Sequence, residues 1–154
     1  MQWVVEDVRP TLAQHTLTCS LMDMPLMIEG DELRLEQVLQ NLLSNAIKYS
    51  PAGGPITARV EQQGGTVCVA VADQGLGIPQ DAIPQLFQRF YRAANVDAGS
   101  IKGLGIGLYV VKEIVTLHGG AVRVDSVEGI GSTFTISLPL VEQRTPAEAQ
   151  ACAA

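Results

Sequence analysis

The chain has 154 residues, 47% of them hydrophobic and 17% charged, a composition typical of one folded domain rather than of a disordered segment. Its formal net charge of −6 predicts no nucleic-acid partner, because the phosphate backbone attracts basic surfaces. No apolar run approaches the roughly 20 residues that a membrane helix needs, and no signal peptide is recognisable. We therefore expect no direct membrane contact from this chain. Its three cysteines, Cys19, Cys68 and Cys152, are odd in number and widely spaced, which suits a reducing cytoplasm, even if the parent protein is membrane-anchored.

The first third of the chain contains two predicted helices separated by short strands. Apolar spacing predicts a helix over Gln2–Gln14, interrupted or shortened by its proline. Short strands are predicted at Thr16–Met22 and Met27–Glu29. Asp31 is a favourable N-cap for a helix that continues through Lys48, and the Pro- and Gly-rich run after that helix ends it.

A hairpin and a less regular region follow. Strands at Ile56–Gln62 and Thr66–Asp73 are predicted to pair, with Gly64-Gly65 at the turn. Asp81–Tyr91 is predicted to be a short helix. Ala93–Lys102 has little apolar periodicity and is expected to be a mobile loop.

The last third predicts a helix from Gly105 to His118 and then a hairpin of Ala121–Ser126 with Ser132–Leu138. Residues 141–154 are expected to be a flexible tail after a single domain over residues 1–140. About three main helices and five to seven strands, with antiparallel hairpins and helices on one face, predict an α+β protein with a two-layer α/β sandwich.

One face of the predicted helix Asp31–Lys48 carries polar side chains in a regular spacing. Asn41, Asn45, Lys48 and Tyr49 follow one another at i, i+4, i+7 and i+8, which is one side of a helix. An Asn oxygen suits Mg²⁺, and a Lys ammonium suits a phosphate. The alternative interpretation is an ordinary solvent-facing surface.

A carboxylate and two glycines follow the predicted strand Thr66–Asp73. In the segment Asp73–Ile78, Gly75 and Gly77 allow the backbone to approach a flat ring, and Asp73 can accept a hydrogen bond from an exocyclic amine. A purely structural turn is the alternative, since Asp and Gly are common in turns.

A third glycine-rich segment, Gly103–Leu108, precedes a helix. Backbone N–H groups at such a position can face phosphates, and the helix dipole favours their charge. The segment matches neither the dinucleotide fingerprint nor the P-loop, because its spacing differs and it follows a loop.

The order and spacing of these segments resemble those of the GHKL superfamily, and within it the catalytic (ATP-binding) domain of sensor histidine kinases. The resemblance covers about Asp7 to Leu140. It comprises the N box (Asn41–Tyr49), the G1 box (Asp73–Ile78), the F box (Phe87–Arg92) and the G2 box (Gly103–Leu108). It implies a Bergerat-type fold with a mixed sheet of about five main strands, covered on one face by three helices.

The resemblance also implies the ligands, ATP and Mg²⁺, and the residues that contact them. Asp73 would bind the adenine amine, with Thr133 joining through water, and Phe87 and Phe90 would anchor the lid. Asn45 would be the metal ligand. The implied catalytic residues are Asn41, Asn45, Lys48 and Arg92. The implied nucleotide-binding residues are Asn45, Lys48, Tyr49, Asp73, Gly75, Gly77, Ile78, Lys102, Gly103, Leu104, Gly105, Gly107, Leu108 and Thr133.

The reaction that the resemblance implies is phosphoryl transfer to a histidine. Hydrolytic branches of the superfamily carry a general-base Glu where this chain has Asn41, and an amide cannot take a proton from water. Neither His15 nor His118 stands in an acceptor motif, so the implied acceptor is a separate dimerisation domain, with a response-regulator receiver domain downstream. Two alternatives remain open: a serine kinase of the anti-sigma-factor type, and an ATP-binding sensor that transfers nothing.

Overall fold

The computed structural model describes Leu12 and residues 14–95 and 103–141. Within these residues the chain forms five strands, two α-helices and one 3₁₀ helix. The strands are β1 (His15–Ser20), β2 (Gly54–Gln63), β3 (Thr66–Asp73), β4 (Ala121–Val127) and β5 (Gly131–Pro139), and the helices are α1 (Glu32–Lys48), α2 (Gly107–Leu117) and the 3₁₀ helix Ile83–Gln85. No helix in these ranges is long and apolar enough to cross a membrane.

The strands form one mixed sheet in the order β1-β2-β3-β5-β4. β1 runs parallel to β2, and the remaining neighbours are antiparallel. The two predicted hairpins are both present, and β3 and β5 join them side by side, so that Asp73 lies opposite Ser132. This arrangement confirms the predicted α+β sandwich with a five-stranded mixed sheet.

Both α-helices pack on the same face of the sheet and bury one apolar core. Period-2 alternation along β5 directs every second side chain toward the helices, as expected for a sheet with one covered face. The largest fully buried side chains come from both layers: Leu42, Ile56, Ile136, Val38, Val71, Val111 and Val115. Burying a side chain of this size contributes about 1.5–3 kcal/mol.

Helix α1 begins and ends as its sequence predicts. Asp31 has extended backbone angles, and its Oδ1 accepts a hydrogen bond from the Arg34 N–H at 3.1 Å, which is the geometry of an N-cap. The helix stops before Pro51, which cannot donate the next backbone hydrogen bond.

The imidazole of His118 connects the beginning of α1 to the end of α2. Its Nε2 accepts a hydrogen bond from the Asp31 N–H at 3.0 Å, and its Nδ1 lies 2.7 Å from the Ile114 carbonyl oxygen. An acceptor role at Nε2 requires the proton on Nδ1, which donates to Ile114. This histidine therefore has a structural role between two helix ends.

Two predicted elements are wrong. Met27–Glu29 has no strand pairing and is irregular, although the Met27 carbonyl accepts the Val141 N–H at 2.9 Å. Asp81–Tyr91 contains only the 3₁₀ turn, because Pro84 lacks a backbone donor and disfavours helix before it, and because Phe90 has a φ of 65°. Two α-helices rather than three therefore cover the sheet in the described ranges.

Several predictions lie largely outside the described residues. The helix predicted at Gln2–Gln14 is represented only by Leu12 and Gln14, and the loop Ala93–Lys102 only by its first three residues. All but Val141 of the predicted tail also lies outside.

Candidate nucleotide-binding site

A cavity of about 380 Å³ opens between α1, the loop after β3, the segment before α2 and the start of α2 itself. Many of the residues that the sequence singled out line it. These are Asn41, Asn45, Lys48, Tyr49, Gly77, Ile78, Arg92, Gly103, Leu104, Gly105, Gly107 and Leu108. Three glycine-rich or amide-rich segments that are far apart in sequence thus meet around one space.

The polar face of α1 forms one wall of this cavity. Lys48 Nζ donates to the Tyr49 hydroxyl at 3.2 Å and lies 4.7 Å from the centre of its ring, so the ammonium is held at the cavity rather than extended into solvent. Asn41 Nδ2 donates to the Gln37 carbonyl at 2.9 Å, which leaves the Asn41 Oδ1 for other partners. This wall presents amide oxygens and one positive charge.

The start of α2 forms an adjoining wall, close to Asn41. Gly107 is its first residue, and a Cβ at that position would lie 2.9 Å from Asn41 Oδ1. Among the described residues no side chain caps this helix end, so its first N–H groups are free to bind an anion, which the helix dipole also favours. A phosphate chain along these walls would meet the N–H groups of α2 and the Lys48 ammonium.

The loop after β3 holds the Asp73 carboxylate by backbone contacts. The Gly75 N–H donates to Asp73 Oδ1 at 2.9 Å. Burial raises the pKa of the Asp73 carboxyl above its ordinary value of 3.8, while hydrogen bonds from the backbone of Gly75 and Ser132 oppose that rise. Neither Asp73 nor Gly75 is among the residues that line the cavity. The Asp73 carboxyl is a partly buried acceptor on the strand next to the lining residue Ser132.

Gly77 fixes the path of this loop. Its φ is +62°, and a Cβ there would collide with the Val127 carbonyl oxygen. Both the left-handed backbone and the close approach require glycine. A hydrogen bond also holds the loop against the β4–β5 turn: the Gly129 N–H donates to the Leu76 carbonyl at 2.7 Å.

The predicted role of Thr133 is corrected by the strand parity of β5. Thr133 points to the uncovered face of the sheet, whereas its neighbour Ser132 is buried and lines the cavity.

The hydrogen bonds of Ser126 determine whether Ser132 donates or accepts in the bond between the two hydroxyls. The Ser126 hydroxyl accepts a hydrogen bond from the Ile78 N–H and donates one to the Gly131 carbonyl, both at 2.9 Å. Since Ser126 has one hydroxyl proton, Ser132 must donate in their shared 2.9 Å bond, and its lone pairs remain available.

The two phenylalanines of the F box have different environments. Phe87 packs against the core, and Lys112 Nζ lies 5.9 Å from the centre of its ring. The Phe90 side chain is 69% exposed, and this residue connects to the glycine segment through its backbone N–H, which donates to the Gly105 carbonyl at 2.9 Å. Phe87 therefore packs as a core residue and Phe90 does not, and the expectation that both rings anchor the loop Ala93–Lys102 stays a prediction, because most of that loop lies outside the described residues.

Sequence reasoning missed several lining residues. They are Ser44, Leu86, Tyr91, Ala93, Asn95, Ile106, Ser132 and Phe134. Counting alternate positions back from Phe134, whose apolar side chain must face the core, would have selected Ser132. Lys102 lies outside the described residues.

Comparison with known proteins decides the family. A sequence profile of the family described as "Histidine kinase-, DNA gyrase B-, and HSP90-like ATPase" matches residues 30–142. The chain belongs to this family. Among curated members, the sensor histidine kinase WalK of Bacillus subtilis is 37% identical over 94% of this chain, and the sensor-like histidine kinase SenX3 of Mycolicibacterium smegmatis is 41% identical over 71%. The chain spans only 24% and 29% of their lengths.

Solved structures of this histidine kinase-like ATPase family share the fold. The mycobacterial sensor histidine kinase MprB superposes with a TM-score of 0.82 and 33% identity, covering 90% of this chain and 92% of that one. Full-length ShkA, solved in complex with AMPPNP, superposes with a TM-score of 0.78 and 30% identity over 94% of this chain and 30% of its own. Histidine kinase domains therefore share both the sequence pattern and the architecture described above.

The donor set of this ATPase-family cavity fits Mg²⁺ carried by a nucleotide. Within the described ranges no group of three or more His, Cys, Asp or Glu side chains could hold a metal by itself. The cavity instead has the amide side chains of Asn41 and Asn45. Mg²⁺ commonly takes one or two protein oxygens and completes its shell with phosphate oxygens and water, so these residues suit a metal that arrives with ATP.

Proposed function

We propose that this chain is the catalytic domain of a sensor histidine kinase, which binds Mg-ATP and transfers the γ-phosphate to a histidine on a separate dimerisation domain. The observation that carries the proposal is the cavity itself. The amide-rich face of α1 and the uncapped start of α2 line the same cavity, which has a volume of about 380 Å³. Family membership and the kinase relatives support the same reading.

Recognition of the base is assigned to the end of β3. Asp73 is oriented by the Gly75 N–H, and its carboxylate is the acceptor that an adenine amine requires. Ser132 lies beside it across the β3–β5 pair and keeps lone pairs toward the cavity. Ile78 and Leu108 add apolar surface for the ring.

Recognition of the phosphates is assigned to the opposite end of the cavity. The groups proposed to contact the phosphates are the first N–H groups of α2, the Lys48 ammonium and the Arg92 guanidinium, all of which belong to residues that line the cavity. Asn45 would hold the Mg²⁺, with Asn41 beside it; when bound, that ion neutralises charge on the phosphates. The protein's own contribution is to position the nucleotide and to complement its charge.

Transfer to another molecule is favoured over hydrolysis because the cavity lacks a base. Among the described residues, none that lines it is a carboxylate or a histidine. Asn41 occupies the position of the hydrolytic Glu, and its amide is already engaged with Gln37. His118 is engaged between two helix ends, and His15 lies 3.0 Å from the Ser50 carbonyl, so neither is placed to receive phosphate.

In the proposed step, a ring nitrogen of the acceptor histidine forms a bond to the γ-phosphorus. The bond from that phosphorus to the β–γ bridging oxygen breaks, ADP leaves with the electron pair, and the proton on the other ring nitrogen passes to solvent. The phosphohistidine would then supply a receiver domain of a response regulator. Because ATP is an intracellular substrate, we propose the cytoplasm as the site of the reaction.

The chemistry of the phosphorylated product tests the proposal. The chain is mixed with the helical dimerisation domain of its parent kinase and with γ-labelled Mg-ATP. We expect label on the partner that is lost in acid and retained in alkali, as a phosphohistidine requires. Label that is stable in acid and lost in alkali would identify a serine kinase of the anti-sigma-factor type, and intact ATP binding without label would identify a sensor.

A further inference from the structure

Asn95 is a cavity residue to which neither the sequence motifs nor the proposed reaction assigns a role. Its Nδ2 donates to the Gly77 carbonyl at 3.1 Å, across 18 residues of sequence. Its Oδ1 is buried and has no hydrogen-bond partner among the described residues. The side chain lines the same cavity as Lys48, Ile78 and Arg92.

The bond to Gly77 fixes which atom of this amide is left without a partner. Gly77 offers only a carbonyl oxygen at this contact, so the Asn95 NH₂ must point to it. The nitrogen and oxygen ends of an Asn amide have similar shapes, and this hydrogen bond distinguishes them. Gly77 cannot move away, because its backbone is packed on Val127. The atom left without a partner is therefore an acceptor.

Nearly all buried polar atoms in native proteins have a hydrogen-bond partner, so a buried acceptor without a donor requires an explanation. A ligand that brings an N–H or O–H group into the cavity would supply the missing hydrogen bond. ATP carries such groups at only two places, the exocyclic amine and the two ribose hydroxyls, since its other polar atoms accept. The proposed function directs the amine, with its two N–H groups, to Asp73, which is not among the lining residues. Asn95 is a lining residue, which favours the ribose hydroxyls as its donors.

We infer that Asn95 is a specificity-determining residue whose Oδ1 accepts a hydrogen bond from a ribose hydroxyl of the bound nucleotide, after a small rotation of the side chain toward the ligand. The inference rests on the proposed ATP site. It makes the site selective for ribonucleotides over deoxyribonucleotides, through a residue that also supports the loop after β3.

Binding of ATP, 2′-deoxy-ATP and 3′-deoxy-ATP, measured by calorimetry with Mg²⁺, tests this inference. The wild-type protein should bind one deoxy analogue about tenfold more weakly than ATP, the usual cost of an unpaired buried acceptor. In Asn95→Leu, which has similar size and no polar atom, that ratio should fall to about one. Gln80→Leu is the matched control, because the Gln80 amide also donates to a backbone carbonyl, that of Ser126, but lies outside the cavity.

The analogue ratio separates ligand recognition from a merely structural role. If Asn95→Leu weakens all three nucleotides by the same factor, Asn95 only supports Gly77 and the inference is wrong. Equal affinities of the wild-type protein for the three nucleotides refute it as well, and this result does not depend on whether the variant folds. Failure to bind any of the three would instead overturn the proposed function, so the two failures are distinguishable.

Discussion

Replacing Asp73 with Asn should weaken ATP binding more than any other single side-chain change at the base end of the cavity. The substitution keeps the size of the side chain and an oxygen for the Gly75 N–H, but it removes the negative charge that attracts the adenine amine. A hydrogen bond to a charged group contributes about 1.5–3 kcal/mol, which corresponds to a loss of affinity of about 10- to 100-fold.

Calorimetric titration of the variant with Mg-ATP measures this loss. Asp125→Asn provides a matched control, because Asp125 is an exposed carboxylate of β4 that pairs with Arg123 and does not line the cavity. The control should bind ATP as the wild-type protein does. GTP, which has a carbonyl in place of the amine, should bind weakly to the wild-type protein. Unchanged ATP affinity in Asp73→Asn would refute the assignment of the base.

The same substitution, which should weaken ATP binding, should increase the stability of the nucleotide-free protein at neutral pH. Burial raises the pKa of Asp73 in the folded state above 3.8, so the native protein holds this proton more tightly than the unfolded chain. The contribution of Asp73 to the free energy of unfolding therefore falls as the pH rises from 3.8 through the raised pKa, and stays lower at neutral pH. Asp73→Asn should remove this dependence, and chemical denaturation of the nucleotide-free protein across that pH range will show whether it does.

Three further changes test the account. Gly77→Ala should lower the melting temperature much more than Gly64→Ala, because both glycines have positive φ but only Gly77 contacts another backbone. His118→Leu should lower the free energy of unfolding by about 1–3 kcal/mol in urea, with ATP affinity retained and with exposed Thr116→Ala as a neutral control. Asn45→Ala should abolish phosphate transfer to the acceptor domain, since the variant lacks the protein ligand proposed for Mg²⁺; transfer at the normal rate would contradict that role.

Those parts of the fold that depend on local signals could be predicted from the sequence. Helix α1 has a side-chain cap, an apolar stripe and a terminating Pro-Gly run, and the hairpins have alternating strands around glycine turns. Asp81–Tyr91 could not be predicted in the same way, because its apolar residues suggested a helix while Pro84 and the positive φ of Phe90 prevent one. Parallel pairing of β1 with β2 depends on contacts across the sheet that no local pattern encodes.

The candidate site was predictable where a motif gives both residue type and spacing. Asn41, Asn45 and Lys48 line the cavity because a helix of known length fixes their common face. Ser132 was missed because adjacent strand residues face opposite sides, and the motif was assigned one position too far along. Asn95 has no regular element to orient it, so only its contact with Gly77 in the folded chain reveals it.

Intact-mass spectrometry of the acceptor domain, after incubation with this chain and Mg-ATP, tests the central claim most directly. The account predicts one added phosphate per acceptor domain, which appears only when this chain is present and disappears after brief acid treatment. Replacement of the acceptor histidine should prevent the mass increase. An acceptor domain that stays unmodified while the chain demonstrably binds ATP, or that carries an acid-stable phosphate, would contradict the assignment of this protein as a histidine kinase catalytic domain.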